Sequence, residues 1–487
     1  MVQMEPHEAE ELLKYHLRKN NLLPDESRSW TVNYSPLGGR GIFATRDIQA
    51  GELIFTDVPL LIGPRCCNKS LPMCVVCYKS NCPLFPCDHG CGLPICSAEC
   101  ENSTLHIERE CRFMREWVPN CGSSWSKDLL LAVVLVRSLT LSKEQRKLLY
   151  AFECHRNLTP NYEIDFLKKN VVHLPDDEQM ELMKRTCGVF NTNSFEVVVI
   201  SSPDKDHTTS LRGLYPMGGF QNHCCVPNTR HHFDEQQKVY VSAALPIIAG
   251  EEITMSYTNL LWDTWRRRQF LNITKHFSCN CNRCSDPLEF GSQLLALFCA
   301  KDDCAGHLLP HNSLNYKSSW ICNKCQTSVN HRQIECIRSG LNSFVSNVIY
   351  KTPREILRFV EVELSKLVPA TNYSLLNIKY CIISYFGRLP DLKWIDLTDA
   401  ELRIKQMYCN DILSALDALN SGDSITKGLV LYELYRTNLE LLKRQISDDN
   451  AAQTHSHIRT DNNEQILQKA MSILQNDVGA ACVRKSD

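Results

Sequence analysis

The sequence predicts an α+β protein of several domains. Short β-branched and aromatic runs separated by glycine turns occupy residues 30–62 and return within 195–257, and two cysteine-dense segments lie at 66–111 and 279–325. After His331 cysteines become sparse and apolar residues recur with helical spacing. At roughly 150 residues per domain, a chain of 487 residues suggests about three domains.

Composition excludes several classes of protein. The chain has 53 Lys and Arg against 55 Asp and Glu, a formal net charge of −2, so a histone-like or DNA-coating protein is excluded. Its longest apolar stretch, Leu129–Val136, is far shorter than the roughly 20 residues that span a bilayer. Residues 1–11 carry four glutamates and no apolar run, so we expect no secretory signal and a soluble intracellular chain.

The elements follow in order along the chain. Leu12, Leu13, His16 and Leu17 predict an amphipathic helix, and Gly38–Gly41 and Ala50-Gly51 mark turns between the first short strands. Residues 126–183 are predicted to be helical. Later strands are predicted at Phe195–Ile200, Val239–Ala243 and Ile253–Tyr257. C-terminal helices are predicted at 331–350, 354–367, 373–387, 399–419, 425–445 and 463–476, with a polar, flexible loop at 448–463.

The 26 cysteines point to metal, since intracellular thiols stay reduced and Cys-x2-Cys pairs are typical of zinc sites. The first cluster supplies eight ligands, enough for two tetrahedral ions. Interleaved pairs usually cross-brace, which assigns one ion to Cys74, Cys77, Cys96 and Cys100 and the other to Cys87, Cys91, His106 and Cys111. Cys82 and His89 are alternative ligands for the second ion.

Two further clusters follow. Cys279, Cys281 and Cys284 leave a tetrahedral site one ligand short, and Cys225 is the better candidate for the fourth, with Cys224 as its competitor. Cys299, Cys304, Cys322 and Cys325 have a spacing similar to a zinc ribbon, although buried or surface thiols would also explain them. We therefore expect three zinc ions, and a fourth if this last cluster binds metal.

Four ordered motifs resemble those of one family. Gly39–Ala44 followed by Ala50-Gly51-Glu52 resembles the opening of a SET domain, and Asn222–Asn228 resembles its NHSCxPN motif. Gly250–Tyr257 is similar to its GEE motif, and the Phe277–Cys284 segment to its post-SET end. The Cys74–Cys111 cluster resembles a MYND finger inserted between two SET halves. This nesting resembles the SET and MYND domain (SMYD) family, and the extra ribbon resembles its arthropod SmydA branch.

The resemblance implies a domain order. It consists of an N-terminal helix (1–29), the first SET part (30–65), the MYND finger (66–115), a helical SET insert (116–190), the SET core (191–260), the post-SET zinc segment (261–290), the ribbon-like segment (291–330) and an all-α, TPR-like C-terminal domain (331–487). We expect that last domain to close one side of the substrate cleft. The Arg266–Arg268 triplet is expected to decorate an exposed helix face.

The resemblance also implies an activity, the transfer of a methyl group from S-adenosylmethionine to a histone or other protein lysine, in transcriptional regulation. Tyr257 takes the catalytic position. The implied cofactor-binding residues are Gly38, Gly39, Arg40, Asn222, His223, Tyr257 and Phe277, and the implied substrate channel contains Phe195, Lys275 and Phe277. A Tyr hydroxyl can orient the amine in the transition state, and an apolar channel lowers an amine's pKa.

Three departures from the family pattern bear on function. Cys224 replaces the usual serine, the last finger pair is His106-x4-Cys111 where x3 is usual, and Lys275 replaces an aromatic residue. A cation at Lys275 could repel the incoming ammonium unless it points to solvent.

The alternative function is an inactive SET scaffold whose finger docks proline-rich peptides or co-regulators. A RING-type ligase has no use for the SET motifs, and the finger has too few basic residues to bind nucleic acid. We expect the cytoplasm and nucleus, with no membrane partner.

Overall fold

The computed structural model describes residues 4–23, 28–65, 72–155, 161–200, 208–448 and 453–474. The strands are Trp30–Tyr34 (β1), Arg40–Ala44 (β2), Leu53–Asp57 (β3), Leu61–Pro64 (β4), Phe85–Pro86 (β5), Pro94–Ile95 (β6), Phe195–Ile200 (β7), Thr208–Leu214 (β8), Thr229–Phe233 (β9), Val239–Ala243 (β10), Glu252–Ile253 (β11), Leu297–Phe298 (β12), His307–Pro310 (β13), Trp320–Cys322 (β14) and Ser328–Val329 (β15).

The helices alternate with these strands and then dominate the C-terminal third. They are Pro6–Lys19 (α1), Ala98–Glu101 (α2), Thr104–His106 (α3), Arg112–Trp117 (α4), Lys127–Ser138 (α5), Lys143–Tyr150 (α6), Tyr162–Asn170 (α7), Asp177–Asn193 (α8), Pro216–Gly219 (α9), Thr264–Thr274 (α10), Asn282–Ser285 (α11), His331–Ser346 (α12), Pro353–Val362 (α13), Tyr373–Tyr385 (α14), Asp399–Ala418 (α15), Ile425–Asp448 (α16) and Gln453–Leu474 (α17). A π-helical turn, Ile107–Cys111, joins α3 to α4.

Three small antiparallel sheets join residues that precede the first cysteine cluster to residues that follow it. Their strand orders are β1-β2-β11, β3-β10-β9 and β4-β8-β7. In register, Ile42 lies opposite Ile253, Phe55 opposite Val241 and Ile62 opposite Gly213. The β-fold is therefore one unit split in sequence by the cysteine-rich insertion. This confirms the predicted α+β class.

One buried core unites the sheets, the first cysteine-rich segment and helices α1 and α5 to α8. Helix α5 is apolar all round, and its residues from Leu129 to Ser138 are all buried, as expected for a central helix. It packs so closely on β4 that a Cβ at Gly63 would lie 2.4 Å from Val134 Cγ2. The finger thus shares the core of the sheets, which compensates for its own few aliphatic residues.

The predicted strand Ile253–Tyr257 is shorter in the structure. Pairing with β2 ends at Ile253, and the chain then runs beside residues 222–224. His223 forms a parallel bridge with Met255; Met255 N donates to Asn222 O (3.0 Å), and Cys224 N donates to Met255 O (2.9 Å). A change of pairing partner, which local sequence does not reveal, accounts for the difference. This crossing brings the Asn222 and Tyr257 segments together.

A second core joins helix α10, the β12–β15 sheet and the C-terminal helices. Helices α13 to α17 each pack against the next, which agrees with the predicted all-α arrangement. The polar loop predicted at 448–463 is wrong over most of its length, because α17 begins at Gln453. Asn463 is 5% exposed and its Nδ2 donates to Tyr435 O, so α16 supplies the polar partner that the sequence could not specify. Among the described residues no helix is long and apolar enough to cross a membrane.

Candidate active site and metal centres

A cavity of about 1320 Å³ lies where the first core meets helix α10. Its walls include most of the predicted site residues, namely Gly38, Gly39, Arg40, Phe195, Asn222, Tyr257, Lys275 and Phe277. None of the described residues that line it belongs to helices α12–α17. That the C-terminal domain closes one side of the substrate cleft stays a prediction. The cavity exceeds the roughly 300–1,000 Å³ of an ordinary ligand pocket, which leaves room for a cofactor and an acceptor side chain.

One side of the cavity is a glycine turn between β1 and β2. Gly38 has φ of +130° and Gly39 has φ of +63°, conformations that favour glycine, and Ser35 N donates to Gly39 O (3.0 Å) to close the turn. Beside it, Arg40 Nη2 donates to Ala151 O (2.6 Å). Arg40 Nη1 is buried and has no partner among the described residues, so it is free for an anionic ligand group.

Asn222 is held rigidly at the same side. Its Nδ2 donates to Arg40 O (3.0 Å) and to Glu252 Oε1 (2.7 Å), while Ser35 Oγ donates to Glu252 Oε2 (2.7 Å). A Cβ at Gly41 would lie 2.2 Å from Glu252 Oε1, so a larger residue there would displace the carboxylate that holds Asn222. Both amide protons of Asn222 are used, and among the described residues its Oδ1 has no hydrogen-bond donor.

Tyr257 lies between the cavity and a cysteine cluster. Its hydroxyl donates to Gln221 O (2.7 Å) and its backbone N–H donates to His223 Nδ1 (3.0 Å). Nδ1 is therefore the acceptor nitrogen, and His223 Nε2 carries the proton directed at Cys225 Sγ (3.2 Å). Burial, and secondarily Glu252, raises the pKa of Tyr257 well above its usual value, which keeps the hydroxyl protonated.

His223 itself does not line the cavity. Its side chain is buried and both ring nitrogens are engaged within the protein, so its ring offers no free polar atom to a ligand. Its contact with a cofactor stays a prediction, and such a polar contact would have to come from the backbone of His223. Phe277 does line the cavity, with its ring centre 6.0 Å from that of His223.

The other side of the cavity is aromatic. Phe195 meets Tyr215 and His231 edge-on, with ring centres 5.6 and 5.7 Å apart. Burial lowers the pKa of His231 to about 4, so this wall is neutral near pH 7. Lys275 does not point to solvent: its Nζ donates to Thr192 O and lies 5.4 Å from the centre of the Tyr257 ring.

The eight predicted ligands of the finger fall into the two predicted groups. Cys74, Cys77, Cys96 and Cys100 converge, and so do Cys87, Cys91, His106 and Cys111, with all ligand atoms of a group within 4.8 Å of one another. The Sγ atoms of Cys77 and Cys96 are 3.5 Å apart, and those of Cys96 and Cys100 are 3.7 Å apart. These distances fit the about 3.8 Å expected between two thiolate sulfurs on one tetrahedral zinc. Cys82 and His89 belong to neither group.

The unusual His106-x4-Cys111 spacing has a local structural explanation. The π-helical turn Ile107–Cys111 follows an i→i+5 pattern, which brings residues five apart onto one face. Glu110 accepts from Arg137 Nε (2.9 Å) and lies 3.1 Å from His106 Nδ1, which leaves Nε2 for metal. Burial opposes ionisation of Glu110, but Arg137 and His106 outweigh it and hold its pKa at about 2.

The third group contains Cys225 with Cys279, Cys281 and Cys284, so Cys225 rather than Cys224 completes it. Here the expectation for Arg266–Arg268 is wrong at its middle residue, because Arg267 is fully buried beneath these thiols. Its Nε donates to Cys225 Sγ (3.2 Å) and its Nη1 to Glu289 Oε2 (2.6 Å). A guanidinium at this place offsets the excess negative charge of four thiolates on one Zn²⁺.

The ribbon-like group also converges. Cys299, Cys304, Cys322 and Cys325 lie within 4.8 Å of one another, with sulfur separations of 3.5 Å for Cys299–Cys325 and 3.7 Å for Cys304–Cys322. Those separations match a tetrahedral zinc site as well as the other groups do. The donor sets among the described residues therefore suit four zinc ions.

Sequence reasoning missed several residues that build the site. Glu252 fixes Asn222, Gln221 holds the Tyr257 hydroxyl, and Arg267 and Glu289 support the third cysteine group. Glu252 could have been found from the Gly250–Tyr257 motif. Glu289 carries no local signal, because its role arises from a contact between separate segments.

The comparisons with known proteins agree with this architecture. The SET domain family model matches residues 39–258. SET domain-containing protein SmydA-8, isoform B, of Drosophila melanogaster is 35% identical over 88% of this chain and 94% of its own length. N-lysine methyltransferase SMYD2-B of Xenopus laevis is 24% identical over 68% of this chain and 73% of its own.

A likeness to solved structures is weaker. The SET domain of LSMT bound to lysine and AdoHcy is 12% identical, with 98% of this chain and 91% of that chain covered, and the TM-score is 0.34. This TM-score is too low to support a conclusion about the chain.

The split sheets, the crossing of residues 222–224 with Met255 and the matched family model define a SET-domain protein of the methyltransferase class. With four cysteine-rich groups and a helical C-terminal region, the chain belongs to the SET and MYND domain family, in its arthropod SmydA branch.

Proposed function

We propose that the chain is a protein-lysine N-methyltransferase that transfers the methyl group of S-adenosylmethionine to a lysine of a histone or another protein. The observation that carries the proposal is the meeting of the Gly38–Arg40 turn, Asn222 and Tyr257 in one cavity. Family relatives named as lysine methyltransferases support it. We further propose that this methylation serves transcriptional regulation. We also propose that the chain acts in the cytoplasm and nucleus.

The residues present fit the cofactor. The backbone of Gly38 and Gly39 is open to close approach, Arg40 Nη1 is a buried donor without a partner in the described chain, and Asn222 Oδ1 is a free acceptor. These groups would bind the carboxylate and the polar edge of S-adenosylmethionine, with Phe277 against an apolar face. Bound S-adenosylmethionine supplies a methyl group attached to a positively charged sulfur.

The chain's own residues then orient the acceptor. Tyr257 stays protonated and is fixed by Gln221 O, so its oxygen lone pairs face the cavity without reorganisation. The His223 link ties that position to Cys225 and hence to the third zinc group. The neutral aromatic wall around Phe195 excludes water, which favours the deprotonated amine needed for attack.

Cofactor binding is the first test. We expect S-adenosylmethionine to bind the zinc-loaded full chain in calorimetry, with Asn222→Ala weakening binding at least tenfold. Asn342→Ala, an exposed position on α12, is the matched control and should bind like the parent. A well-folded parent that binds no S-adenosylmethionine would contradict the proposal.

Transfer is tested separately from binding. Tyr257→Phe should keep the cofactor Kd within about threefold while S-adenosylhomocysteine release with core histones or a lysine-peptide array falls about 100-fold or more. Equal transfer rates in the parent and in Tyr257→Phe would remove the role of that hydroxyl.

The alternative function is an inactive scaffold whose finger docks proline-rich peptides or co-regulators. The inward-pointing Lys275 favours it, since an ammonium already lies beside Tyr257. Cofactor binding without transfer to any protein would support this alternative.

A further inference from the structure

We propose that the side chain of Lys275 occupies the acceptor channel of its own chain. Its ε-amino group lies where the amine of a substrate lysine must bind, and a substrate enters only by displacing it. This inference rests on the proposed function, because it assigns a regulatory residue to the same cavity. It would make the resting chain self-inhibited.

The backbone directs this side chain inward. Lys275 directly follows helix α10 as its C-cap residue, and its N–H donates to Leu271 O (2.8 Å). His276 follows in the left-handed region, with φ of +59°, so the chain turns sharply after the helix. The side chain of Lys275 then extends toward the C-terminal end of helix α8, where Nζ donates to Thr192 O. Thr192 lies three residues before Phe195, at the aromatic wall.

Two contacts hold the ε-nitrogen beside Tyr257. The carbonyl oxygen of Thr192 accepts a hydrogen bond from Nζ. Nζ also lies 5.4 Å from the centre of the Tyr257 ring, within the range of a cation–π contact. Lys275 is half-buried, and within the described part of the chain no carboxylate forms an ion pair with it. Burial also lowers the pKa of Lys275 to about 8, toward the neutral form that can attack a methyl group.

A lysine that served packing alone would not need this arrangement. A long side chain normally keeps its charged end in water. Lys184, on the helix α8 that Lys275 contacts, is exposed in that way. Lys275 instead lies in the cavity that contains Arg40, Asn222 and Tyr257. Its arm therefore takes up space between the aromatic wall and Tyr257 that an incoming lysine would need.

The decisive experiment restores the removed atoms as a separate molecule. Lys275→Ala deletes three carbons and the amine, which together correspond to n-propylamine. In the variant, the propylamine nitrogen forms a bond to the methyl carbon as the carbon–sulfur bond breaks; S-adenosylhomocysteine leaves and the amine proton passes to water. We expect Lys275→Ala to methylate n-propylamine at least tenfold faster than the parent, measured by mass spectrometry, with Lys184→Ala equal to the parent.

Calorimetry separates the two hypotheses. If the parent and Lys275→Ala both bind S-adenosylmethionine and methylate propylamine equally, the inference is overturned while the proposed function stands. If neither binds S-adenosylmethionine, the proposed function fails and this inference fails with it. Lys275→Met, which keeps an arm of similar length, should bind the cofactor and remain as slow as the parent.

A measurement on the unaltered chain guards against misfolding of the variants. Brief treatment with acetic anhydride at a pH of about 10.5 or above, where lysine amines are largely neutral and access rather than protonation sets the rate, followed by peptide mass spectrometry, should modify Lys275 at least tenfold more slowly than the exposed Lys184. Equal modification of the two lysines would overturn the enclosed position on which the inference depends.

Discussion

Arg267 shows how one residue can join chemistry from distant parts of the chain. It contacts the thiols of Cys225 and Cys284 and shares Glu289 with the buried Arg283. The sequence places it in a run of three arginines, which usually indicates an exposed, solvated face. Only its neighbours in space, two thiols and a carboxylate, explain why this arginine of the three is buried.

The zinc affinity of the third group should depend on that cation. Arg267→Met removes the charge that offsets the thiolates, so we expect this site to lose about 10–100-fold in zinc affinity. After dialysis against a fixed chelator concentration, the variant should retain one zinc fewer than the parent. Arg266→Met is the control, since Arg266 is exposed, and unchanged zinc content in both variants would contradict the argument.

At the scale of elements, the finger shows that helix type can adapt to ligand spacing. The extra residue between His106 and Cys111 is accommodated by the π-helical turn Ile107–Cys111. The sequence predicted the ligands and their pairing from spacing alone, and the structure brings the same groups together. It could not predict the turn, because the turn is accompanied by contacts between separate segments, such as the buried Glu110–Arg137 pair.

The β12–β15 sheet should contain a fourth zinc ion. Cys299 and Cys304 lie in the turn between β12 and β13, and Cys322 and Cys325 lie at the turn between β14 and β15. Both turns are at the same end of the antiparallel sheet, so metal would tie them together. We expect four zinc ions per chain by elemental analysis and three in Cys299→Ser. Cys336→Ser, which changes an exposed free cysteine of α12, should keep four. Three ions in both the parent and Cys299→Ser would mean that the ribbon holds no metal.

At the scale of the whole molecule, the helical region makes close contacts with the β3-β10-β9 sheet. Gly422, between α15 and α16, has φ of +62°, and a Cβ there would lie 2.2 Å from Ala244 O beside strand β10. Nearby, Arg230 Nη1 donates to Ile473 O (3.0 Å) at the end of α17. The helical region therefore rests on the β3-β10-β9 sheet.

Substitution at Gly422 should loosen this contact. Gly422→Ala adds backbone strain of about 1–2 kcal/mol and an overlap costing roughly 1–3 kcal/mol more. Gly122→Ala is a matched control, because Gly122 has φ of +63° and open space around it. We expect a lower Tm for Gly422→Ala than for the control, and faster hydrogen exchange in residues 239–247 and 420–428. Equal behaviour of the two variants would contradict the contact's role.

The sequence by itself determined the α+β class, the family resemblance and the candidate metal ligands, because these depend on residue type and local spacing. It also predicted most helices, whose apolar periodicity is local. Tertiary structure alone decided that Lys275 points into the cavity, that Arg267 is buried, and that the segment after Ile253 pairs with residues 222–224. Each of these depends on contacts between segments far apart in sequence, and the burial and charge of a side chain follow from such contacts rather than from its neighbours along the chain.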